Sequence, residues 1–274
     1  MKIAAYLRPN ESRTNERIHH FGMALGAELT YRDNPIADCD LAISAGFQIH
    51  PGMRDAMVRG IPIIVLETPV WHYGDKHASY TWAYNGLHGL GYTPEACPTL
   101  IRPHPELGVW RDWNSGRVTI FGQVENDKAL RGSDHSKWIK SVQDVLPQAE
   151  LREHPIMINM HSPEWEDMEP FEECLAATSL AVTYTSTTGS EAVIAGIPTI
   201  AVHPGSLAYD VASHTLSEAP VTPDRDEWIR KLSLRHWTVG ETVDVDYILS
   251  GYEEARQVAE QGEYDNMSNG RQQP

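Results

Sequence analysis

Two stretches of the chain are versions of one unit. Residues 40–67 read DLAISAGFQIHPGMRDAMVRGIPIIVLE, and residues 179–205 read SLAVTYTSTTGSEAVIAGIPTIAVHPG. DAMVRGIPIIV (55–65) lies over EAVIAGIPTIA (191–201), with Ala, Gly, Ile, Pro and Ile at matching places, and LAIS (41–44) lies over LAVT (180–183). Each copy spells a short buried strand, a turn, a helix, and a Gly-Ile-Pro exit into another apolar strand. Gly60 and Gly196 suit a helix C-cap, and the proline two residues on cannot continue the helix. Strand, helix and parallel strand together form the unit of a doubly wound sheet.

The rest of the chain keeps the alternation. KIAAYL (2–7), IPIIVLE (61–67), RVTIFGQ (117–123), AELREHP (149–155), SLAVTYT (179–185) and IPTIAVH (197–203) read as strands. NERIHHFGMALG (15–26), SDHSKWIKSVQDVL (133–146), MEPFEECLAAT (168–178) and DVDYILSGYEEARQVAEQ (244–261) read as helices. The Pro-, Gly- and Trp-rich segment 94–116 reads as a linker. At 274 residues and 41% hydrophobic, the chain can bury two modest cores. The expected fold class is therefore α/β, with two similar domains facing a cleft. They cover residues 1–107 and 108–243, followed by a C-terminal helix and frayed tail over 244–274. Ligands of such sheets bind at the carboxyl edges of the strands.

Composition narrows the function. A net charge of −16 disfavours long-range attraction to a phosphate backbone, although a local basic patch stays compatible with it. The apolar runs are far shorter than a bilayer-spanning helix needs, so no transmembrane segment is expected. Three widely spaced cysteines favour a reducing, cytoplasmic setting. No HExxH pattern, zinc-finger spacing, GxGxxG or GxxxxGK[ST] occurs, so no metal and no standard dinucleotide or P-loop site is expected.

The turn Ser186-Thr187-Thr188-Gly189-Ser190, where a strand hands over to a helix, exposes amides and hydroxyls that suit a phosphate. Glu191 stands in the first helical turn, either as an acceptor for ribose hydroxyls or as the partner of a Ser/Thr cap in a capping box. His154-Pro155 and Gln123 end strands expected to face the same cleft. Alone, each has an equally simple reading as a turn residue. Glu67 ends an N-terminal strand, where a carboxylate can serve as a general base or merely be solvated. Trp71, His72, Tyr73 and Asp75 follow it and suggest acceptor surface. The aromatics Tyr80, Trp82 and Tyr84 further on suit either stacking on a sugar or base, or the core.

IFGQVENDKAL, REHP and TYTSTTGSEAVIAGIPTIAV, in that order, resemble the C-terminal half of the capsule-polysaccharide Kdo transferases. More broadly they resemble the bacterial sialyltransferase-like group of GT-B glycosyltransferases. The resemblance implies two Rossmann-like domains facing a cleft. It also implies donor binding through His154 and Pro155 and through Ser186, Thr187 and Thr188. GIPIIVLETPVW is similar to that group's Glu-Asp-Gly segment, which supplies the catalytic acid or base. Glu67 is kept here, while Thr68 and Pro69 replace Asp-Gly. YTWAYNGLHGLGY is also similar to phage-encoded glycosyltransferase-like proteins, some associated with hypermodified DNA bases.

The expected activity is transfer of a sugar from a nucleotide-sugar donor, with no further cofactor, to a hydroxyl acceptor. The acceptor is a glycan or a hydroxymethylated base in phage DNA, the latter placing the protein in a host cytoplasm. Two alternatives are a nucleotide-sugar epimerase-like enzyme and a catalytically silent nucleotide-sugar binder. The sequence does not specify an oligomeric state.

Overall fold

A computed structural model describes residues 1–10, 13–36, 38–46, 49–71, 78–95, 100–123, 127, 130, 133–145, 156–160, 170–217 and 219–264. In chain order the elements are β1 (Ile3–Leu7), α1 (Arg13–Ala24), β2 (Glu28–Tyr31), β3 (Leu41–Ala45), α2 (Pro51–Val58), β4 (Ile63–Glu67) and β5 (Ser79–Tyr84). There follow β6 (Arg117–Gly122), α3 (His135–Val145), β7 (Ile156–Met160), α4 (Phe171–Ala177), β8 (Thr178–Thr183), α5 (Thr188–Ile194) and β9 (Thr199–Ala201). The chain ends with α6 (Asp226–Arg235), β10 (His236–Thr238), α7 (Val245–Ser250) and α8 (Tyr252–Glu260). It divides into two compact units, Met1–Arg102 with Arg230–Pro274, and Pro103–Ile229.

The first unit holds one sheet in the order β10-β5-β4-β3-β1-β2. Strands β1 to β4 are parallel, while β5 pairs antiparallel with β4, and β10 antiparallel with β5. The inner strands are largely apolar because both faces are covered. Ile3, Ala5, Leu41, Ile43, Ile64 and Leu66 pack with Ile18 and Phe21 of α1. Ala4, Tyr6, Ala42, Ile63 and Val65 pack on the other face with Met53 and Ala56 of α2. Tyr80, Trp82 and Tyr84 alternate along β5, so all three side chains enter one face of the core and none is available to stack on a sugar. Their polar ends are satisfied inside: Trp82 Nε1 donates to the Leu234 carbonyl and Tyr84 OH to the Ile248 carbonyl, while Tyr80 OH meets His20 Nδ1. The single helix expected over 244–261 is broken at Gly251 into α7 and α8. A β-carbon there would lie 2.7 Å from Pro94 Cγ, so only glycine lets the bend pack that closely.

The second unit holds a four-stranded parallel sheet in the order β7-β6-β8-β9. Val118, Ile120, Leu180, Val182 and Ile200 pack with Ile139 and Val142 of α3. Phe121 and Ala181 pack on the opposite face with Cys174 of α4 and Ala192 of α5. The strand expected over 149–155 lies outside the described residues. The strand beside β6 is the run IMINM, 156–160, paired in parallel with it. The stretch after residue 103, expected as part of a linker, is tied into this unit. Arg111 Nη1 donates to the carbonyls of Leu175, Ala176 and Thr178 at the end of α4, and Trp110 Nε1 donates to the Pro223 carbonyl. The Arg225 guanidinium lies 3.8 Å over the Trp110 ring.

Both Gly-Ile-Pro exits use left-handed glycines, with φ of +66° at Gly60 and +78° at Gly196. Their surroundings differ. An added β-carbon at Gly60 meets Glu260 Cα at 3.1 Å, while at Gly196 it runs into the Val109 carbonyl. Gly60→Ala is expected to cost about 1–2 kcal/mol from the backbone conformation alone. Gly196→Ala should cost roughly 1–3 kcal/mol more through the clash. Equal losses in urea unfolding would contradict this packing.

His50 caps α2 from within the first unit. Its Nδ1 accepts the Met53 amide at 3.2 Å and its Nε2 lies 2.9 Å from Ser44 Oγ. Burial pushes its pKa down to about 4, from an ordinary 6.5. The unfolded chain therefore takes up this proton at higher pH than the folded one. Stability is full above about pH 6.5 and falls by roughly 3 kcal/mol as the pH drops towards 4. His50→Gln should flatten that slope in pH-dependent unfolding. An unchanged slope would place the proton uptake elsewhere.

Candidate functional site

In the second unit the chain leaves β6 for β7 on one side and returns to β8 on the other. That reversal leaves a crevice between the carboxyl ends of β6 and β8, the place where open α/β sheets hold ligands. Gln123 follows β6 directly and is buried. Its Oε1 accepts from both the amide and the hydroxyl of Thr185, at 3.1 and 3.0 Å, and so ties the two strand ends together. Its Nε2 donates to Asp127 Oδ2 at 3.0 Å. Its own amide donates to Nε2 of the buried His135 at 2.7 Å, which fixes that nitrogen as an acceptor.

Around this bridge lies a group of rings that the sequence reading did not single out. Tyr184 OH is 2.9 Å from Ser133 Oγ, and its ring centroid is 5.5 Å from Trp138 and 4.8 Å from His203. His203 Nδ1 accepts the Gly205 amide at 2.9 Å. One signal for it was legible: His-Pro-Gly occurs at 50–52 and again at 203–205. His135 had no such signal, because a histidine at the start of a helix is ordinary.

The turn after β8 caps α5 without a capping box. The Gly189 amide donates to the Ser186 carbonyl, and the Ser190 and Glu191 amides donate to the Thr187 carbonyl. Ser186 Oγ accepts the Thr188 amide at 3.3 Å, and Thr187, in the N-cap position, makes no side-chain cap bond. The hydroxyls of the half-exposed Thr187 and Thr188 thus have no partner among the described residues. Gly189 is needed for close approach, since a β-carbon there would stand 2.7 Å from Thr183 Cγ2. Behind the turn, the fully buried Thr183 and Ser190 hydroxyls have no hydrogen-bond partner among the described residues. His154 and Pro155 lie outside the described residues, and the carboxyl end of β7 falls at Met160 rather than at that pair.

The first unit has its own reversal, between β1 and β3. Gly46 follows β3 with φ +70°. The place its β-carbon would occupy is 3.6 Å from Glu67 Oε1 and 3.8 Å from Arg8 Nη2. Asn15 of α1 holds the Arg8 backbone on both sides, accepting from its amide at 2.8 Å and donating to its carbonyl at 3.1 Å. Trp71 is buried, stacked on His236 with centroids 4.4 Å apart. His72, Tyr73 and Asp75 lie outside the described residues. Among the described residues no group of three His, Cys, Asp or Glu could hold a metal ion, and no helix is long and apolar enough to cross a membrane.

No protein-family model and no curated protein matches the chain in sequence. Solved structures do share its fold. One is the Thermosulfurimonas dismutans KpsC beta Kdo 2,4 transferase, 13% identical, with a TM-score of 0.52 over 87% of this chain and 92% of that one. Another is the beta Kdo 2,7 transferase of the same protein, 12% identical, with a TM-score of 0.52 over 95% of this chain and 99% of that one. At such identity the likeness is one of fold: a mixed α/β, Rossmann-like arrangement of parallel sheets.

Gln123→Leu removes the acceptor shared by the Thr185 amide and hydroxyl. A loss of about 1–3 kcal/mol is expected, since both donors are buried. The Thr185 amide should exchange with deuterium faster than in the parent. Unchanged exchange at Thr185 would show that the bridge does not hold the strand ends.

Proposed function

We propose that the protein is a glycosyltransferase that moves a sugar from a nucleotide-sugar donor to a hydroxyl acceptor. The observation that carries the reading is the pair of Thr187 and Thr188 hydroxyls, left unused by the fold at the carboxyl edge of a parallel sheet beside its switch point. The similarity in fold to two Kdo transferase structures supports it. In this reading the turn 186–190, with Glu191, holds the donor phosphate, and Gln123 sets the position of the turn. His154 and Pro155 contribute to the nucleotide site. Charge that develops on the leaving phosphate is stabilised by hydroxyls and amides already fixed in place.

The acceptor hydroxyl gives its proton to Glu67, the last residue of β4. Trp71, His72, Tyr73 and Asp75 belong to the acceptor side, with Trp71 acting through its buried stack rather than as an open platform. A glycan hydroxyl is the preferred acceptor class, because a net charge of −16 opposes approach to a nucleic-acid backbone.

A thermal-shift screen across CMP-, UDP-, GDP- and TDP-sugars tests the donor class, since a ligand that binds the native state raises the melting temperature. The Thr187→Ala, Thr188→Ala double variant should keep the parent's stability to within about 0.5 kcal/mol. It should bind the effective nucleotide sugar at least about tenfold more weakly, as the loss of hydrogen bonds to a charged group implies. Unchanged donor affinity would make the turn a helix cap and nothing more. Glu67→Gln should leave donor binding intact and lower turnover by about 10²–10⁴. Turnover near the parent rate would remove Glu67 from the chemistry.

A further inference from the structure

Strand β2 forms one edge of the first unit's sheet, and its outer side meets no strand among the described residues. The Arg32 amide donates to the Leu7 carbonyl of β1. Backbone groups alternate in direction along a strand, so those of Glu28 and Thr30 also turn inward, and those of Leu29 and Tyr31 turn outward. Other sheet edges are taken up. The Ala201 amide of β9 donates to the Ser213 carbonyl and the Ser213 amide to the Thr199 carbonyl, while Arg102 Nη2 donates to the His236 carbonyl on β10. β2 has no proline, no lysine and no register shift against β1, the devices that commonly stop an edge from pairing. Tyr31 on this edge is 51% exposed.

The sequence of the edge, Glu28-Leu29-Thr30-Tyr31-Arg32, is complementary to itself read in reverse. A second copy laid antiparallel, with Thr30 opposite Thr30, sets Leu29 opposite Tyr31 and Glu28 opposite Arg32, twice over. In that register the outward amides and carbonyls of Leu29 and Tyr31 face each other as hydrogen-bonded pairs. Thr30 then forms a non-hydrogen-bonded pair on the two-fold axis. The Tyr31 carbonyl already accepts the Asn34 amide and keeps a second lone pair for its new donor. A slip of one residue would set outward groups against inward ones, and a slip of two would leave neither charge opposite the other. The charged pairs ask only for opposite signs at the two ends of the strand.

We infer that the partner of this edge is a second copy of the chain, and that two first units join through β2 into one continuous sheet. Leu29 and Tyr31 of both copies lie on one face of the junction, and Thr30 with the charged pairs on the other. The pairing is short, so the dimer is weak and forms with rising concentration.

Sedimentation equilibrium of the full chain, from about 1 µM to about 1 mM, should show a monomer passing into a dimer. Tyr31→Pro removes an outward amide and no bond to β1, so it should melt with the parent and weaken association at least about tenfold. Glu28→Arg and Arg32→Glu each set like charges opposite one another and should each weaken association several-fold. Mixed in equal amounts, these two variants should pair with each other, since each supplies the charge that the other lacks. Thr30→Cys should give an intermolecular disulfide under air oxidation, because the paired α-carbons stand about 4.5 Å apart, whereas Tyr31→Cys should not. The cross-link decides the matter should a charge variant melt early. A monomer at every concentration, a dimer that Tyr31→Pro leaves unchanged, or no cross-link in Thr30→Cys would overturn the inference.

Discussion

The second unit depends on one side chain placed between two strand ends. Parallel strands β6 and β8 are neighbours in the sheet but diverge beyond it, because their connections run to opposite sides. Backbone groups at that divergence lose their ladder partners and must find others, since buried polar groups left unmade cost about 1–3 kcal/mol each. Gln123 supplies them: its carbonyl oxygen takes two donors from Thr185, its amide nitrogen reaches Asp127, and its backbone amide is taken up by His135. With Thr185 held, the turn that follows has its course set, and Ser186 and Thr187 can cap α5 through their backbone carbonyls. The threonine hydroxyls are then spare. The feature proposed to bind a phosphate is therefore a by-product of how the crevice is closed.

The first unit solves the same topological problem with other residues. His50 takes the Met53 amide and meets the Ser44 hydroxyl, so a buried imidazole organises the start of α2. Its switch point is furnished with charges instead of hydroxyls, Arg8 on one strand and Glu67 on another. The repeat visible at 40–67 and 179–205 thus describes a shared scaffold, and the chemistry differs where the turns differ. AGFQIHPG (45–52) and YTSTTGS (184–190) occupy corresponding places and have nothing in common.

What the sequence revealed followed from periodicity and punctuation. The buried strands β1, β3, β4, β6, β8 and β9 were legible as apolar runs, and Gly60 and Gly196 as left-handed exits, since a helix followed by Gly-Ile-Pro has few other ways to end. β7, the run IMINM at 156–160, was not legible, since AELREHP just before it has strand length and ends in proline. The aromatics of YTWAY (80–84) suited either stacking on a ligand or the core. The run's period of two, with Tyr80, Trp82 and Tyr84 on one face, is that of a core strand. Ser186 to Ser190 stood out in the sequence because a cap needs only one such residue. Gln123 was found as a strand end, but its bridge to Thr185, the support from His135 and the meeting of Arg8 with Gly46 and Glu67 join residues 12 to 62 positions apart. No local pattern encodes such a meeting, since it is the sheet order that creates it.

The central claim is that the carboxyl edge of the second sheet, at the junction of β6 and β8, receives the nucleotide sugar. Hydrogen–deuterium exchange of the full chain, with and without the nucleotide sugar that gives the largest thermal shift, tests it most directly. The account predicts slowed exchange confined chiefly to peptides covering Gln123 and residues 184–191. Protection that leaves both of these peptides unchanged while another region slows would contradict it.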